Sequence, residues 1–358
     1  LKGDDVLYNP ESDAEAKIGK IYTLSGNKPV EVQELFAGDI GAIAKLTSTK
    51  TGDTLSTKNT PVSYGRTEYS KPYTYMKYVV NNKGDEDKVS QALAKMMAED
   101  VTLKVVNDSE NRQSLIYGMG DQHLEVTASK LAERYKVGIR LETPKVAFRE
   151  TIRKNSDVDT KYKKQSGGHG QYGHVKIRIY PRDPGSGFEF KNSIVGGAIP
   201  KEYIPSVADG IREAANSGIL AGFPVLGLRA DIYDGSYHEV DSSEMAFHIA
   251  GSMAFKDAMA KAAPALLEPI MKVEVTMPEE YMGDVIGDIN SRRGRIEGME
   301  DISGGKMIKA FVPLAEMFGY ATDLRSKTQG RGNYSMFFDK YEQAPKSVQD
   351  KVIASRAK

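Results

Sequence analysis

Cysteine is absent from this chain of 358 residues. Its absence excludes disulfide bonds, thiolate metal sites and cysteine nucleophiles, and it is compatible with the reducing environment of the cytoplasm. Long hydrophobic runs are absent as well, since no apolar stretch approaches the ~18 residues that a membrane-spanning helix needs. We therefore expect a cytoplasmic protein that has no membrane among its partners.

An excess of charge of either sign is also lacking, because 49 Lys and Arg residues balance 49 Asp and Glu residues. A nucleic-acid-binding protein with zero net charge has to hold its positive charge in local patches, since no global field steers it. Hydrophobic residues make up 40% and charged residues 27%, which is ordinary for a folded soluble protein. The composition by itself therefore gives no indication of RNA binding.

The hydrophobic pattern divides the chain into four domains and a tail. Residues 1–66 contain short β-rich runs between Gly-containing turns, which are typical of part of a small β-barrel. Residues 71–144 and 268–345 each show the order β-α-β-β-α-β of a ferredoxin-like domain. Residues 145–267 form a different domain between them, and 346–358 form a C-terminal tail. The predicted fold class is therefore α+β multidomain.

Single residues predict several element boundaries. Asp85 is placed to cap a helix, and Asp241 with Glu244 has the spacing of a capping box before a long helix. Apolar and basic residues alternate around Lys176, which predicts a strand that buries residues 175, 177 and 179. One helix is expected over residues 314–327.

The segment Asn82–Lys83–Gly84–Asp85 matches the N-K-x-D motif that reads guanine in GTPases. That role requires a G-x-x-x-x-G-K-[ST] loop to hold the phosphates and a magnesium ligand, and this chain has no such loop. The segment is better explained as a turn that leads into a helix. We predict no catalytic residue and no cofactor for this chain.

Residues 168–175 match G-x-G-x-x-G-x-V, but a dinucleotide-binding loop should follow a strand and open a helix. Here a lysine-rich segment precedes the loop and a strand follows it. A kinase would also need H-R-D and D-F-G motifs, which are absent. An enzyme that uses this loop to bind a phosphorylated small molecule stays an open alternative. The five histidines do not form an H-E-x-x-H motif, and no metal site is predicted.

Two basic clusters are candidates for phosphate contacts. The first combines Lys161, Lys163 and Lys164 with a Gly-rich loop and a tyrosine, and these residue types can bind phosphate and stack on bases. A solvated hairpin explains that cluster equally well. The second cluster contains Arg292 and Arg293 at a helix end, where a structural role is slightly favoured.

Four segments resemble motifs of the elongation factor G family. Residues 165–175 resemble the Gly-rich loop of domain IV, and residues 237–244 resemble the second loop at the tip of that domain. Residues 283–300 are similar to the signature of domain V, and residues 118–125 to its counterpart in domain III. The matches follow the order of the family and extend over nearly the whole chain.

The resemblance implies a remnant of the domain II barrel, ferredoxin-like domains III and V, and a domain IV of the ribosomal-protein-S5-like type. It also implies that the domain IV tip enters the decoding site and helps to move tRNA and mRNA after GTP hydrolysis. The implied partners of this monomer are the ribosome, with its rRNA and ribosomal proteins, tRNA, mRNA and a GTPase domain missing from this chain. GTP and Mg²⁺ are expected only for that missing domain, and a start at Leu1 instead of Met agrees with this expectation.

The resemblance assigns the tip role to two sets of residues, with His238 as the principal contact. The tip residues are Gln165, Ser166, Gly167, Gly168, His169, Gly170, Gln171, Tyr172, Tyr237, His238, Glu239, Val240 and Asp241.

The chain departs from the family pattern at several positions, which suggests a divergent paralogue. His169 replaces an arginine, which removes a permanent charge and adds one that titrates near neutrality. The other departures are Glu239 for Asp, His248 for Lys, Asp121 and Gln122 for Glu-Leu, and Val101 for Pro. An alternative of the same fold is a stand-alone or antibiotic-protection ribosome factor that does not translocate.

We expect that this chain binds no GTP in a stoichiometric complex, because it lacks the loop that would hold the phosphates and Mg²⁺. Titration with a fluorescent GTP analogue checks this, with a GTPase that contains the loop as the positive control. Saturable stoichiometric binding would contradict the expectation.

Overall fold

The computed structural model describes residues 1–72, 74–165 and 170–356. The chain divides into two units, of which the first comprises Leu1–Asp108 with Arg112–Pro144. The second comprises Ser109–Asn111 and the residues from Lys145 onward. Both units combine helices with β-sheets, so the α+β multidomain prediction is confirmed.

The first unit begins with short antiparallel strands. They are β1 (Val6–Asn9), β2 (Ala14–Lys17), β3 (Ile21–Ser25), β4 (Lys28–Val32) and β5 (Ala42–Ile43). β1 pairs with β2, while β3 pairs with both β4 and β5. The strands do not close into a barrel within residues 1–72.

The rest of the first unit has the predicted ferredoxin-like order. It consists of β6 (Thr74–Val80), α1 (Glu86–Glu99), β7 (Lys104–Asp108), β8 (Gln113–Gly118), α2 (Asp121–Tyr135) and β9 (Ile139–Glu142). The antiparallel sheet has the strand order β7-β8-β6-β9. Leu93, Ile116, Leu124 and Leu131 are buried between this sheet and the two helices, as the helical stripes predict.

Asp85 directly precedes α1, but the predicted side-chain cap is wrong. Its backbone has φ −93° and ψ 2°, whereas a capping residue normally has extended backbone that directs its side chain at the first free N–H groups. The carboxylate instead accepts hydrogen bonds from Lys88 Nζ (3.0 Å) and Asn82 Nδ2 (3.4 Å). The bond from Lys88 is the main reason that the pKa of Asp85 is lowered. Residues 82–85 do form the turn into a helix that the sequence predicts.

The second unit contains the remaining elements. They are β10 (Arg149–Ile152), β11 (Ser156–Gln165), β12 (Gly170–Pro181), β13 (Phe188–Asn192), α3 (Ile204–Ser217), β14 (Leu228–Ser236), α4 (Glu244–Lys261), β15 (Pro264–Met277), α5 (Met282–Ser291), β16 (Arg295–Ile302), β17 (Gly305–Pro313), α6 (Tyr320–Lys327), β18 (Asn333–Gln343) and α7 (Lys346–Arg356).

Its first sheet has the order β11-β12-β14-β13, in which only the β13–β14 pair is parallel. Val175, Ile177 and Ile179 of β12 are fully buried against the helices α3 and α4, which confirms the predicted alternation. The core of this layer is aliphatic and aromatic, with Phe247 and Phe255 of α4 at its centre.

Helix α4 begins later than the predicted capping box would place it. Ser243, not Asp241, is the N-cap: its backbone is extended (φ −151°, ψ 162°), and its Oγ accepts a hydrogen bond from Ala246 N at 3.1 Å. The capping box of Asp241 and Glu244 is therefore wrong. The side chain of Asp241 has a different partner, which belongs to the candidate interface.

The second sheet is organised around β15. This strand pairs with β10 at Pro264–Leu267, and farther along with β17 on one side and β18 on the other. β16 completes the sheet by pairing with β17, so β15-α5-β16-β17-α6-β18 is the second predicted ferredoxin-like unit. The single helix expected over 314–327 is interrupted, because Gly319 has φ +79° between a 3₁₀ turn and α6.

Glu150 on β10 is fully buried and holds the loop between α3 and β14. One carboxylate oxygen accepts hydrogen bonds from Ile219 N (2.6 Å) and Leu220 N (2.9 Å), and the other from Ala221 N (2.8 Å) and Phe223 N (3.2 Å). A buried charge is tolerated when such donors replace the water it has lost.

Replacing Glu150 by glutamine is expected to destabilise the second unit by about 2–4 kcal/mol, because an amide NH₂ would face backbone N–H donors. Hydrogen exchange of the four amides should accelerate, and denaturation should occur at a lower urea concentration. Glu202→Gln is the matched control, since Glu202 is exposed, and it should change stability by less than about 0.5 kcal/mol. Unchanged protection of the four amides in Glu150→Gln would contradict this account.

Candidate nucleic-acid interface

The first predicted loop lies at the end of the β11–β12 hairpin. The two strands pair from Ser156 and Ile179 at one end to Gln165 and Gly170 at the other. Ser166, Gly167, Gly168 and His169 connect the last pair and lie outside the described residues. The Gly-rich motif is followed by the strand β12, whereas the loop of a dinucleotide-binding site is followed by a helix.

The second predicted loop, between β14 and α4, is hydrogen bonded directly to the hairpin. Tyr172 N donates to Asp241 O (2.8 Å), and Ser242 Oγ donates to Tyr172 O (3.0 Å). Gly170 N donates to Asp241 Oδ1 at 3.0 Å. The described residues of both loops therefore form one surface. We call this surface, made of Gln165, Gly170–Tyr172 and Tyr237–Ser242, the tip.

His238 fixes the shape of the second loop. Its Nδ1 accepts hydrogen bonds from Val240 N (3.3 Å) and Asp241 N (3.2 Å), and its backbone N donates to Ser242 Oγ (2.9 Å). A ring nitrogen that accepts carries no proton, so the neutral ring has its proton on Nε2 and can donate it outward. More than half of the His238 side chain is exposed, and Tyr237 and Val240 beside it are exposed as well.

Aromatic rings give the tip a second type of contact. The ring of Tyr172 lies 6.3 Å from that of His238 at an interplanar angle of 55°, and its Oη is 2.8 Å from Ser236 Oγ. On the opposite face of the hairpin, Tyr162 Oη donates to Gln171 Oε1 at 2.8 Å. Such rings can stack on unpaired bases, while the amide and hydroxyl groups can hydrogen bond to RNA.

Charge along the hairpin is unevenly paired. Near its base, Arg178 forms an ion pair with Asp157 (2.7 Å), and Lys176 forms one with Asp234 (2.9 Å). The hydrogen bond between Lys176 and Asp234 raises the pKa of Lys176 and lowers that of Asp234. Towards the tip, Lys161, Lys163 and Lys164 are exposed, and no carboxylate among the described residues lies within ion-pair distance of them. Lysines without an ion pair among the described residues therefore lie on the hairpin next to the junction of the two loops.

Three family models match this chain in order along its length. They are Elongation Factor G domain III at residues 70–143, Elongation factor G domain IV at 144–263, and Elongation factor G C-terminus at 265–352. The chain belongs to the elongation factor G family. The resemblance seen in the sequence is confirmed, and the tip lies within the part that matches domain IV.

A crystal structure of a protein from Thermus thermophilus is similar to the whole chain. It aligns with 100% of this chain at a TM-score of 0.85 and 39% sequence identity. The alignment covers 54% of the T. thermophilus chain, so this member of the elongation factor G family spans about half the length of that relative.

Arg292 and Arg293 do not join the tip of this elongation factor G family chain. Arg292 lies over the ring of Tyr320 and is bonded to Asp288 (2.9 Å) and Asp323, with only 12% of its side chain exposed. Arg293 makes two bonds of 2.8 Å to the buried Glu268, which raise its pKa. Their role as phosphate contacts stays a prediction, and these internal ion pairs favour the structural role.

Other chemistries find little support in the described residues. No group of three or more His, Asp or Glu side chains there is placed to hold a metal ion. No helix in the described part of the chain is long and apolar enough to cross a membrane.

Asp159, His174 and Ser236 are hydrogen bonded in the order of a hydrolase triad. The Ser236 hydroxyl, however, is also hydrogen bonded to Tyr172 Oη, so it is not the free nucleophile of such a triad.

Sequence reasoning missed Ser236, Ser242 and Asp159 as parts of the site. Ser242 lies inside the motif that resembles the second loop, but its hydrogen bonds to both loops depend on the fold. The alternation on β12 places Tyr172, His174 and Lys176 on one face of the sheet, and it is the only signal in the sequence that His174 points away from the core under α3 and α4.

Asp241→Ala is expected to loosen the junction between the loops by about 1–2 kcal/mol, because Gly170 N loses a charged acceptor. Hydrogen exchange of the Gly170 and Tyr172 amides should accelerate. Asp241→Asn retains an acceptor oxygen and should preserve most of the protection of these amides. Glu239→Ala, in the same loop and exposed, should leave both amides unchanged, and equal effects of all three variants would contradict the assignment.

Proposed function

We propose that this chain is the ribosome-binding portion of a translation factor that promotes GTP-dependent movement of tRNA and mRNA. The proposal rests mainly on the tip. There, hydrogen bonds join the two loops, and three nearby lysines have no ion-pair partner among the described residues. The match to domain IV of the elongation factor G family over the same residues supports this function.

The chemistry of the tip suits RNA. Exposed lysines neutralise backbone phosphates without reading sequence, which fits a factor that must act on many different tRNAs and codons. The rings of Tyr172 and His238 and the Nε2 donor of His238 offer stacking and hydrogen bonding to unpaired nucleotides. The hydrogen bonds between the loops keep these groups in fixed relative positions, which lowers the entropy cost of binding.

The partners we propose are the ribosome, with its rRNA and ribosomal proteins, together with tRNA and mRNA. The chain acts as a monomer in the cytoplasm, and it depends on a GTPase domain outside the present sequence, because the phosphate-binding loop is absent from these 358 residues. In the same proposal, residues 1–66 belong to the domain II barrel, 71–144 to domain III, 145–267 to domain IV and 268–345 to domain V.

Replacing Lys161, Lys163 and Lys164 together by glutamine is expected to weaken ribosome association roughly tenfold or more at moderate salt, because several phosphate contacts are lost. Cosedimentation of the chain with ribosomes over a range of salt concentrations measures both the affinity and the salt dependence. The slope of log affinity against log salt should become shallower in the variant.

The control is Lys154, Lys191 and Lys256 replaced together by glutamine. These three lysines are exposed, belong to the same unit and change the net charge by the same amount. They should leave affinity and salt slope nearly unchanged. Absence of ribosome association by the unmodified chain, or equal loss in the two triple variants, would overturn the proposed role of the tip.

A further inference from the structure

Four side chains form an unbroken line of hydrogen bonds on the outer face of the β11-β12-β14 sheet. Asp159 Oδ1 lies 2.7 Å from His174 Nε2, and His174 Nδ1 lies 2.7 Å from Ser236 Oγ. Ser236 Oγ in turn lies 2.8 Å from Tyr172 Oη at the tip. His174 is only 7% exposed, so water cannot readily replace its two partners. We call this line the relay.

The donor directions in the relay follow from the chemistry of its ends. An ionised carboxylate only accepts, so the Nε2 of His174 must donate to Asp159. In the neutral ring, Nδ1 carries no proton and therefore accepts a hydrogen bond from the hydroxyl of Ser236. Ser236 is left to accept from Tyr172, whose own hydroxyl hydrogen therefore points into the relay. In this state Tyr172 offers only oxygen lone pairs to a ligand.

Protonation of His174 reverses these directions. Both ring nitrogens then donate, so Ser236 Oγ accepts from Nδ1, and its own hydrogen is released and can be donated to Tyr172 Oη. The hydroxyl hydrogen of Tyr172 is then free to bond an acceptor outside the protein. Phosphate and base carbonyl oxygens are acceptors, so this state suits RNA better than the neutral one.

We propose that Asp159, His174 and Ser236 are positioning residues that set whether the hydroxyl of Tyr172 donates to or accepts from RNA at the tip. This inference rests on the proposed function of the tip. It adds that RNA binding by Tyr172 depends on the protonation of a buried histidine that does not itself contact the RNA.

Charged groups around the relay have to be considered with it. On β11, Asp159 faces His174 directly, and Lys161 is its cross-strand partner. On β12 and β14, Lys176 lies 3.9 Å from Asp159 and 2.9 Å from Asp234. Histidine side chains in general can change charge near neutrality, and two others belong to the predicted loops. The experiment therefore uses a background in which His169 is replaced by glutamine and His238 by asparagine, whose Oδ1 can accept from Val240 N and Asp241 N in place of the ring Nδ1.

The relay is first tested without RNA, by the nitrogen chemical shifts of labelled His174. At high pH the neutral ring should carry its proton on Nε2, and the signal of the Tyr172 phenol carbon should shift as the pH is lowered. Ser236→Ala should abolish that shift, whereas Ser236→Thr, which keeps a hydroxyl, should retain it. A proton on Nδ1 in the neutral ring, or a shift that persists in Ser236→Ala, would overturn the relay.

The second test measures binding of a fluorescein-labelled single-stranded RNA oligonucleotide to the full chain at about pH 8 and about pH 6. Affinity should increase about three- to tenfold at the lower pH in the background protein and in Ser236→Thr, as one more hydrogen bond forms. The increase on lowering the pH should be absent from both Ser236→Ala and Tyr172→Phe, whatever the affinity of each variant at the higher pH.

The outcomes separate the two proposals. An equal pH effect in all variants, or RNA binding that does not change with pH, overturns the relay and leaves the proposed function standing, because that function is tested by lysine variants on ribosomes. Failure of the chain to associate with ribosomes overturns the proposed function, and the nitrogen shifts of His174 still decide whether its Nε2 donates to Asp159.

Discussion

Close backbone contact between α4 and its neighbours is the constraint on which the tip depends. A Cβ added to Gly173 of β12 would lie 2.6 Å from the carbonyl oxygen of Ala246, and one added to Gly251 would lie 2.7 Å from that of Val207 on α3. Real Cβ atoms do not come that close, so larger residues would force the helix away from the sheet. Because α4 begins just after Ser242, its contact with β12 also brings the second loop against the hairpin.

Ion pairing differs along the β11–β12 hairpin, although the chain as a whole has zero net charge. Aspartates near the base of the sheet form ion pairs with the basic residues of β12, while the lysines close to the tip have no described carboxylate within ion-pair distance. The arginines of the other sheet are likewise bonded to carboxylates, among them the buried Glu268. Counts of charge over the whole sequence cannot reveal such a pattern, since they average paired and unpaired groups.

The sequence predicts most elements well where one face is apolar. The alternation of Val175, Ile177 and Ile179 defines β12 because only hydrophobic side chains fill the space under α4. The choice between Asp241 and Ser243 as the cap of α4 could not be made, since both residue types can cap and only the backbone angles decide. Gly319 fitted a continuous helix in sequence, but its positive φ interrupts the helix.

The relay lay beyond sequence reasoning for a different reason. Asp159, His174 and Ser236 come from three strands, and they meet only because the register of β11, β12 and β14 aligns them. Periodicity reports which face a residue occupies, but it carries no information about which strands are neighbours. Contacts between loops, such as that of Asp241 with Gly170, depend on the same missing information.

Strand β15 gives the second unit a mechanical property. It follows α4 after only Ala262 and Ala263, and its edges are bonded first to β10 and then to β17 and β18. A pull along such a strand loads many hydrogen bonds in shear at the same moment, whereas peeling would break them one at a time. A displacement of α4 would therefore move β15 and the second sheet with it, because the two residues between α4 and β15 are too few to absorb the movement.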